Sequence, residues 1–486
     1  MRSVGAVPRS ASGLDPMQTR IAGRGPWLRE AIVPGEQDEP ALEGAQRADI
    51  CIVGGGMAGM WTALELKQRQ PNLDIAILEA DVLGGGASGR NSGMVLSQWA
   101  KFAALKAFCG REDAIRLGHV FGNSAGEIDA FFRAEGIDIE FRRDGWIWGA
   151  TCRRHVGSWS GILAGLAEHG QVPFREVTSA EISAMTGSRS FLAGIHDPTA
   201  ATIHPGKLAR GLRRVVLKRG IRIYENSAMT RLERGRPAVV HTAKGSITAE
   251  RVVLTMNAWS TSIPELRSAI LVIASEDAVT EPIPELLDKV GYKQKPLMGD
   301  SQLFVTGFRT TRDHRLNPGV TGGVIGFGGL NGARFEGRSL REHVIRDCMR
   351  RGYPALAEVP FADSWFGPID RTRSGLPLFG ALRGFPHIFY GYGFSGNGVA
   401  TTPIAGRILA SLALEQQDEW SGCGLVRPAE RWLPPEPIRY IGAHMVRAAI
   451  ARKDRLDHLD KNPGPIVRSL AALAPGGITT SQVTGT

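Results

Sequence analysis

Cysteine is scarce in this chain. Five cysteines (Cys51, Cys109, Cys152, Cys348 and Cys423) are scattered over 486 residues. They form no C-x-x-C pair and no metal-ligand spacing, so neither a disulfide framework nor a metal site is expected. That usage fits a reducing cytoplasm. Long apolar runs are also missing. None nears the roughly 20 residues that a membrane-spanning helix needs. Residues 1–26 are rich in Gly, Arg, Ser and Pro and lack the apolar core of a secretory signal. They read as a disordered arm, and Met17 is a second candidate start. Positive charge is in excess, at a formal +10, but its arginines are dispersed rather than gathered in a basic block. With no nucleic-acid-binding motif present, no nucleic-acid partner is expected. Three isolated histidines, His204, His314 and His387, read as structural.

Glycine, in contrast, is abundant and placed. The first cluster is Gly54-Gly55-Gly56-Met57-Ala58-Gly59, which follows the apolar run Ile50-Cys51-Ile52-Val53. This is G-x-G-x-x-G between a strand and a helix. Gly54 permits a tight turn, Gly56 lets backbone approach a pyrophosphate, and Gly59 lets the helix pack closely on the strand. Met57 and Ala58 open the helix, whose free N–H groups and positive dipole end favour phosphate. A second apolar strand ends at Glu79-Ala80, about 20 residues after Gly59, where a carboxylate can accept from ribose hydroxyls. An acid there disfavours a 2′-phosphate and so NADP. The motif alone leaves FAD and NAD both open.

Further along, Gly84 to Gly93 forms a second glycine-rich loop, too long for a simple turn. Residues 101–135 read as helices, 137–150 alternate like strands, and 155–186 are mostly helical. His204-Pro205-Gly206 opens a helix, and Ile221–Tyr224 and Val252–Thr255 read as strands. Residues 270–365 look β-rich, with strands near 270–281, 302–309 and 320–328. A last strand runs from Ile388 into Gly393-Phe394-Ser395-Gly396-Asn397-Gly398, and a helix follows from Thr402. Nucleotide-binding segments thus recur early, in the middle and late, as a discontinuous domain with an insertion requires.

Four segments together resemble one family. They are residues 53–59, residues 86–93 (GlyAlaSerGlyArgAsnSerGly), Thr255-Met256-Asn257-Ala258-Trp259, and residues 391–398. The chain resembles the FAD-dependent D-amino-acid oxidase/glycine oxidase family, and within it the γ-glutamylputrescine oxidoreductase and aminophosphonate oxidoreductase branches. The resemblance covers roughly residues 25–440. It implies an α/β fold with a discontinuous Rossmann-like FAD-binding domain (27–100, 200–265 and 366–420). An inserted α+β substrate domain of mostly antiparallel sheet would comprise 101–199 and 266–365. Residues 421–486 would form a C-terminal helical extension.

The resemblance also implies roles. Ala87, Ser88 and Gly89 would donate to phosphate, while Arg90, Asn91 and Ser92 would lie near the flavin. Relatives have Gly where Ser92 stands, so positive φ there would strain the loop. Met229 would contact adenine and Asn257 would close over the cofactor. The Gly393, Ser395, Gly396, Asn397 and Gly398 loop would offer N–H groups to the negative charge of a reduced flavin. Arg309 would meet an acidic substrate group, Asp370 an ammonium, and Arg371 and Gln98 would complete the substrate side. Ala400 stands where sarcosine oxidase has a lysine, and no residue for a covalent flavin link is evident, so noncovalent FAD is expected.

The implied reaction is oxidation of the C–N bond of an amine or amino acid, by hydride transfer to flavin N5 and imine hydrolysis. Its partners would be a small-molecule amine and either O₂ or an electron carrier. A flavin-dependent hydroxy-acid dehydrogenase and a non-enzymatic flavoprotein remain as alternatives. Near the C-terminus, Pro434-Pro435-Glu436-Pro437 reads as a stiff linker. After it, Ile438, Ile441, Met445, Ala448 and Ala449 mark an apolar stripe opposed by Arg447, Arg452, Lys453 and Arg455. That helix reads as a strap on the enzyme body rather than a membrane contact.

Overall fold

The computed structural model describes residues 23–329 and 335–476. Two eight-stranded sheets organise it. In the first, Gly44–Val53 lies between Ile75–Leu78 and Gly245–Leu254, paired parallel to both. Arg222–Tyr224 and Phe385–Tyr392 extend the parallel set on either side. Leu378–Leu382 adds an antiparallel edge. Parallel strands covered on both faces must be apolar throughout, and Ile50 to Val53 and Ile75 to Leu78 are all buried. Helix Met57–Arg69 packs against helix Thr402–Ala413, and Gly406 allows the approach: a Cβ there would lie 2.9 Å from the Trp61 carbonyl carbon.

The second sheet is antiparallel except where Leu297–Asp300 joins Trp146–Ala150. Its spine is the pair Leu271–Thr280 and Phe361–Arg371, joined from Leu271↔Arg371 to Thr280↔Phe361. The Leu316–Val320 and Thr306–Thr310 strands follow in order. Phe361–Arg371 is one continuous strand of this sheet. The second sheet therefore runs to residue 371. A strand cannot change sheets midway without breaking its ladder.

Local differences from the sequence reading have physical causes. The segment that leads into the first strand begins with a helix, Trp27–Ala31, which the sequence reading does not include. Trp27 and Leu28 are buried, and Gly206 leaves room for the Trp27 carbonyl. Within 137–150, the sheet strand is confined to Trp146–Ala150, and the strand expected at 320–328 ends at Val320. Of the expected disordered arm, residues 1–22, including Met17, lie outside the described residues. Arg24 is ordered by ion pairs to Asp81 and Glu336. All five cysteines are free thiols. No helix among the described residues is long and apolar enough to cross a membrane.

The C-terminal helix, Ile438–His458, buries Ala449 of the expected stripe but not the stripe's first turns, and Arg452 and Arg455 stay exposed. Ile438, Ile441 and Met445 are 61%, 56% and 52% exposed. Lys453, Asp454 and Asp457 turn inward instead. Lys453 and His155 both bond Asp457, and Asp454 accepts the N–H groups of Leu303 and Phe304. Partners already buried on the body decide the face, and these cannot be read from the helix alone.

Candidate active site

The ends of the parallel strands and one face of the second sheet enclose a cavity of about 670 Å³. Crevices beyond the carboxyl ends of parallel strands are where such sheets bind ligands. Its nucleotide end is built from the first glycine cluster. Gly54 has φ +111°, and a Cβ there would lie 2.7 Å from the Thr255 carbonyl oxygen. Gly59 does not line the cavity. It is buried behind the turn, where a Cβ would collide with the Gly54 carbonyl oxygen. Gly54, Gly56, Met57 and Ala58 line the wall, as do Glu79 and Ala80.

Glu79 accepts the N–H groups of Gly55 (2.7 Å) and Asp81 (3.0 Å). Burial outweighs these bonds and raises its carboxyl to about 7. It closes the end of the turn, where a ribose would meet it. Glu79→Ala should raise the FAD dissociation constant by roughly 10- to 100-fold, the worth of a hydrogen bond to a charged group. Titration of the apoprotein, followed by flavin fluorescence, measures this; an unaltered constant would remove Glu79 from the site.

The second loop adds Ala87, Ser88, Arg90, Asn91 and Ser92 to the wall. Ser88 Oγ accepts the Met57 N–H at 2.9 Å and so ties both glycine loops together. Gly89 lies behind, close to the Gly84 carbonyl oxygen. Arg90 is buried, donating to the Gly85 and Phe335 carbonyls and pairing with Glu336 at 3.0 Å. The strain expected at Ser92 is absent, because Gly93 takes the positive φ, +69°. Asn257 does adopt φ +48°, and Met229, Asn257 and Trp259 line the same cavity.

The late loop closes the opposite side through Ser395, Gly396, Asn397 and Gly398. Gly393 lies outside the lining and is fixed by Asp370, whose carboxylate accepts its N–H at 2.6 Å and that of Ser395 at 3.3 Å. Asp370 lines the cavity, yet these bonds make it a positioning residue for the loop rather than a free partner for an ammonium. Burial raises it to about 6. Arg371 donates to the Ser395 carbonyl at 3.0 Å. The following helix starts at Thr402, later than the motif itself.

Two further expectations change. Gln98 is buried outside the lining and donates to Thr401 at 3.2 Å. Arg309 is also buried outside the lining. It stacks 4.9 Å over Trp27 and donates to Asn317 and to the Ile203 carbonyl. Residues two apart on a strand share a face, so Arg309 points to the same side as Gly307, but it lies further along the strand, beneath Gly93 and the Ile203 carbonyl rather than on the cavity. Arg309→Ala should cost about 2 kcal/mol of stability and weaken acidic and neutral substrates alike. A thermal melt paired with kinetics on both substrate types checks this; selective loss of acidic substrates would contradict it.

Asp277 and Lys101 are among the lining residues that sequence reasoning missed. Asp277 stands at the sheet-lined end, facing Gly319 across the ladder. Its Oδ1 accepts the Ser92 hydroxyl at 2.6 Å. Burial raises it to about 6, against the pull of Ser92, Arg309 and Asn317. Its signal was legible: Glu276-Asp277 interrupts an apolar strand. Lys101 lines the cavity beside Arg371, and its Nζ donates to the Gly375 carbonyl at 2.7 Å. Burial lowers Lys101 to about 7 and Arg371 to about 10. Nothing in the sequence around Lys101 marks it. Among the described residues, no cluster of His, Cys, Asp and Glu suits a metal.

Two glycine turns, a terminal acid and a third N–H-rich loop around one cavity define a dinucleotide-binding flavoprotein of the glycine oxidase fold. Residues 49–412 match the DAO family, FAD dependent oxidoreductase, and the chain belongs to it. It is an FAD-dependent oxidoreductase. The chain is 29% identical over 367 residues to γ-glutamylputrescine oxidoreductase of Escherichia coli (strain K12), covering 75% of this chain and 83% of the relative. It is 28% identical to the probable oxidoreductase OrdL of Rhizobium meliloti (strain 1021), covering 80% and 88%. The fold matches glycine oxidase from Geobacillus kaustophilus with a TM-score of 0.63 at 20% identity, covering 77% of this chain and 96% of that one.

Proposed function

We propose that the protein oxidises the C–N bond of an amine or amino acid, with Asp277 holding the substrate nitrogen. Bound FAD supplies the two-electron acceptor. The carrying observation is Asp277: a buried carboxylate on the sheet-lined wall, away from the nucleotide loops. Its oxygens suit an N–H donor. Gly307 and Gly319 flank it with no side chain to occupy the space. Lys101 and Arg371 give another part of the wall two cationic groups, suited to a carboxylate or phosphonate on the substrate. The late loop and the second glycine loop line the space between.

The named relatives act on amines or amino acids in two of the three cases, which supports this reading. A hydroxy acid would need a base for its hydroxyl proton, whereas an amine that arrives unprotonated needs none. The test is a visible spectrum of the purified protein, then anaerobic titration with amines, amino acids and hydroxy acids. Bleaching by one amine class is expected. Bleaching by hydroxy acids alone would overturn the proposal. Admitting air after bleaching separates O₂ from a carrier as electron acceptor.

A further inference from the structure

A second cavity, of about 300 Å³, lies between the C-terminal helix Ile438–His458 and the second sheet. Leu271, Ile273, Phe304 and Ile325 form its floor, and Ile438, Met445 and Val446 its roof. The charged groups at its rim are already engaged. Arg447 donates to the Gly322 carbonyl at 2.8 Å, and Arg439 pairs with Glu436 at 2.7 Å. The wall is apolar and opens to solvent beside the exposed Ile438 and Met445.

This groove continues the active-site cavity. On the Leu271–Thr280 strand, Leu271 and Ile273 line the groove, whereas Ser275 and Asp277 line the cavity. Alternate residues share a face, so these four side chains form one row. The loop that follows the Leu297–Asp300 strand repeats the arrangement, with Phe304 on the groove and Leu303 and Val305 on the cavity. After Leu316–Val320, Thr321 lines the cavity and Gly322 the groove. The partition is the half-buried Phe304 ring, which packs over Gly322. Its backbone is held from the strap by Asp454 at 3.1 Å.

Resting on the function proposed above, we propose that this groove is a tail subsite. It takes the alkyl or aryl tail of an amine whose nitrogen lies at Asp277, with Phe304 as the partition the tail must pass. From Asp277 to Ile273 the strand advances roughly 13 Å, the reach of a chain on the order of ten carbons. The strap then sets specificity: it roofs the subsite with Ile438, Met445 and Val446 and fixes the partition through Asp454.

Gly442 provides the test. It lines the groove, and a Cβ there would meet nothing within 4 Å. Gly442→Phe therefore fills the groove without colliding with the body, and it removes a helix-weakening glycine. The holoenzyme is reduced anaerobically with n-alkylamines from hexylamine to tetradecylamine. Apparent affinity should rise by up to about fourfold per buried methylene in the wild type. In Gly442→Phe the rise should stop near the chain length that reaches Ile273, on the order of ten carbons. A flat series in the wild type, or parallel slopes in both proteins, would overturn the subsite. If no alkylamine reduces the flavin, binding still decides. N-phenyl-1-naphthylamine fluorescence should saturate on the wild-type holoenzyme, be displaced by decylamine, and weaken at least 10-fold in Gly442→Phe. That result keeps the subsite and removes simple alkylamines as substrates; no saturable, variant-sensitive binding removes the subsite itself.

Discussion

Gly59→Val is expected to yield a colourless protein. Gly59 sits one helical turn after Gly54, and a Cβ there would collide with the Gly54 carbonyl oxygen and lie 2.9 Å from Thr255 Oγ1. Both neighbours are fixed. Thr255 Oγ1 donates to the Val53 and Gly54 carbonyls, and Gly54 N–H donates to the Leu78 carbonyl. The turn has no flexible side chain to move aside, so valine must push the helix off the strand. Overpacking of this kind costs up to about 3 kcal/mol, and where it distorts the phosphate turn it lowers FAD affinity by on the order of 100-fold. Visible absorbance of the purified variant and an FAD titration measure it. Gly161→Ala is the control, since its Cβ meets nothing within 4 Å. Stoichiometric FAD in Gly59→Val would show that the turn relaxes.

Asp277→Asn should separate cofactor from substrate. Asparagine keeps the shape and still accepts the Ser92 hydroxyl, so the flavin spectrum should persist. The charge that pairs with a substrate ammonium is lost. Removing a buried charged partner should raise the apparent amine dissociation constant by about 100-fold. The pH dependence carries a further sign. Burial raises the Asp277 carboxyl to about 6. Above that pH it is ionised and pairs with an ammonium; below it the neutral acid does not. Amine affinity in the wild type should therefore fall as pH drops through about 6, and this inflection should be missing in Asp277→Asn. Equal affinities and identical profiles in the two proteins would move the nitrogen site elsewhere.

The first prediction has a wider root: in this fold, packing and positioning residues fix those that contact ligand. Gly59 and Gly89 lie behind the two phosphate turns, and Asp370 holds the late loop by its backbone N–H groups. Gln98 ties the second loop's exit to Thr401. Each is a packing or positioning residue beside a binding surface.

The sequence by itself determined the nucleotide half of the site. Its determinants are local: a turn that needs glycine at positive φ, a helix N-terminus, and an acid at the end of the adjacent parallel strand. Gly54 to Gly59 and Glu79 are spaced by one strand–helix–strand unit, so the chain itself carries the geometry. Periodicity likewise gave the Met57–Arg69, Pro205–Lys218 and Thr402–Ala413 helices within a few residues. Tertiary structure alone decided the substrate half. Asp277 and Arg309 point to the same face of the second sheet; Trp27 and the Ile203 carbonyl, brought in from distant segments, cover Arg309, while Asp277 stays on the cavity. Lys101 reaches the wall from a segment with no motif, and the strap's orientation follows from buried partners, His155 and the Leu303 and Phe304 N–H groups, far away in the chain. Local backbone chemistry is written in neighbouring residues, whereas the facing of a side chain is set by contacts between distant ones.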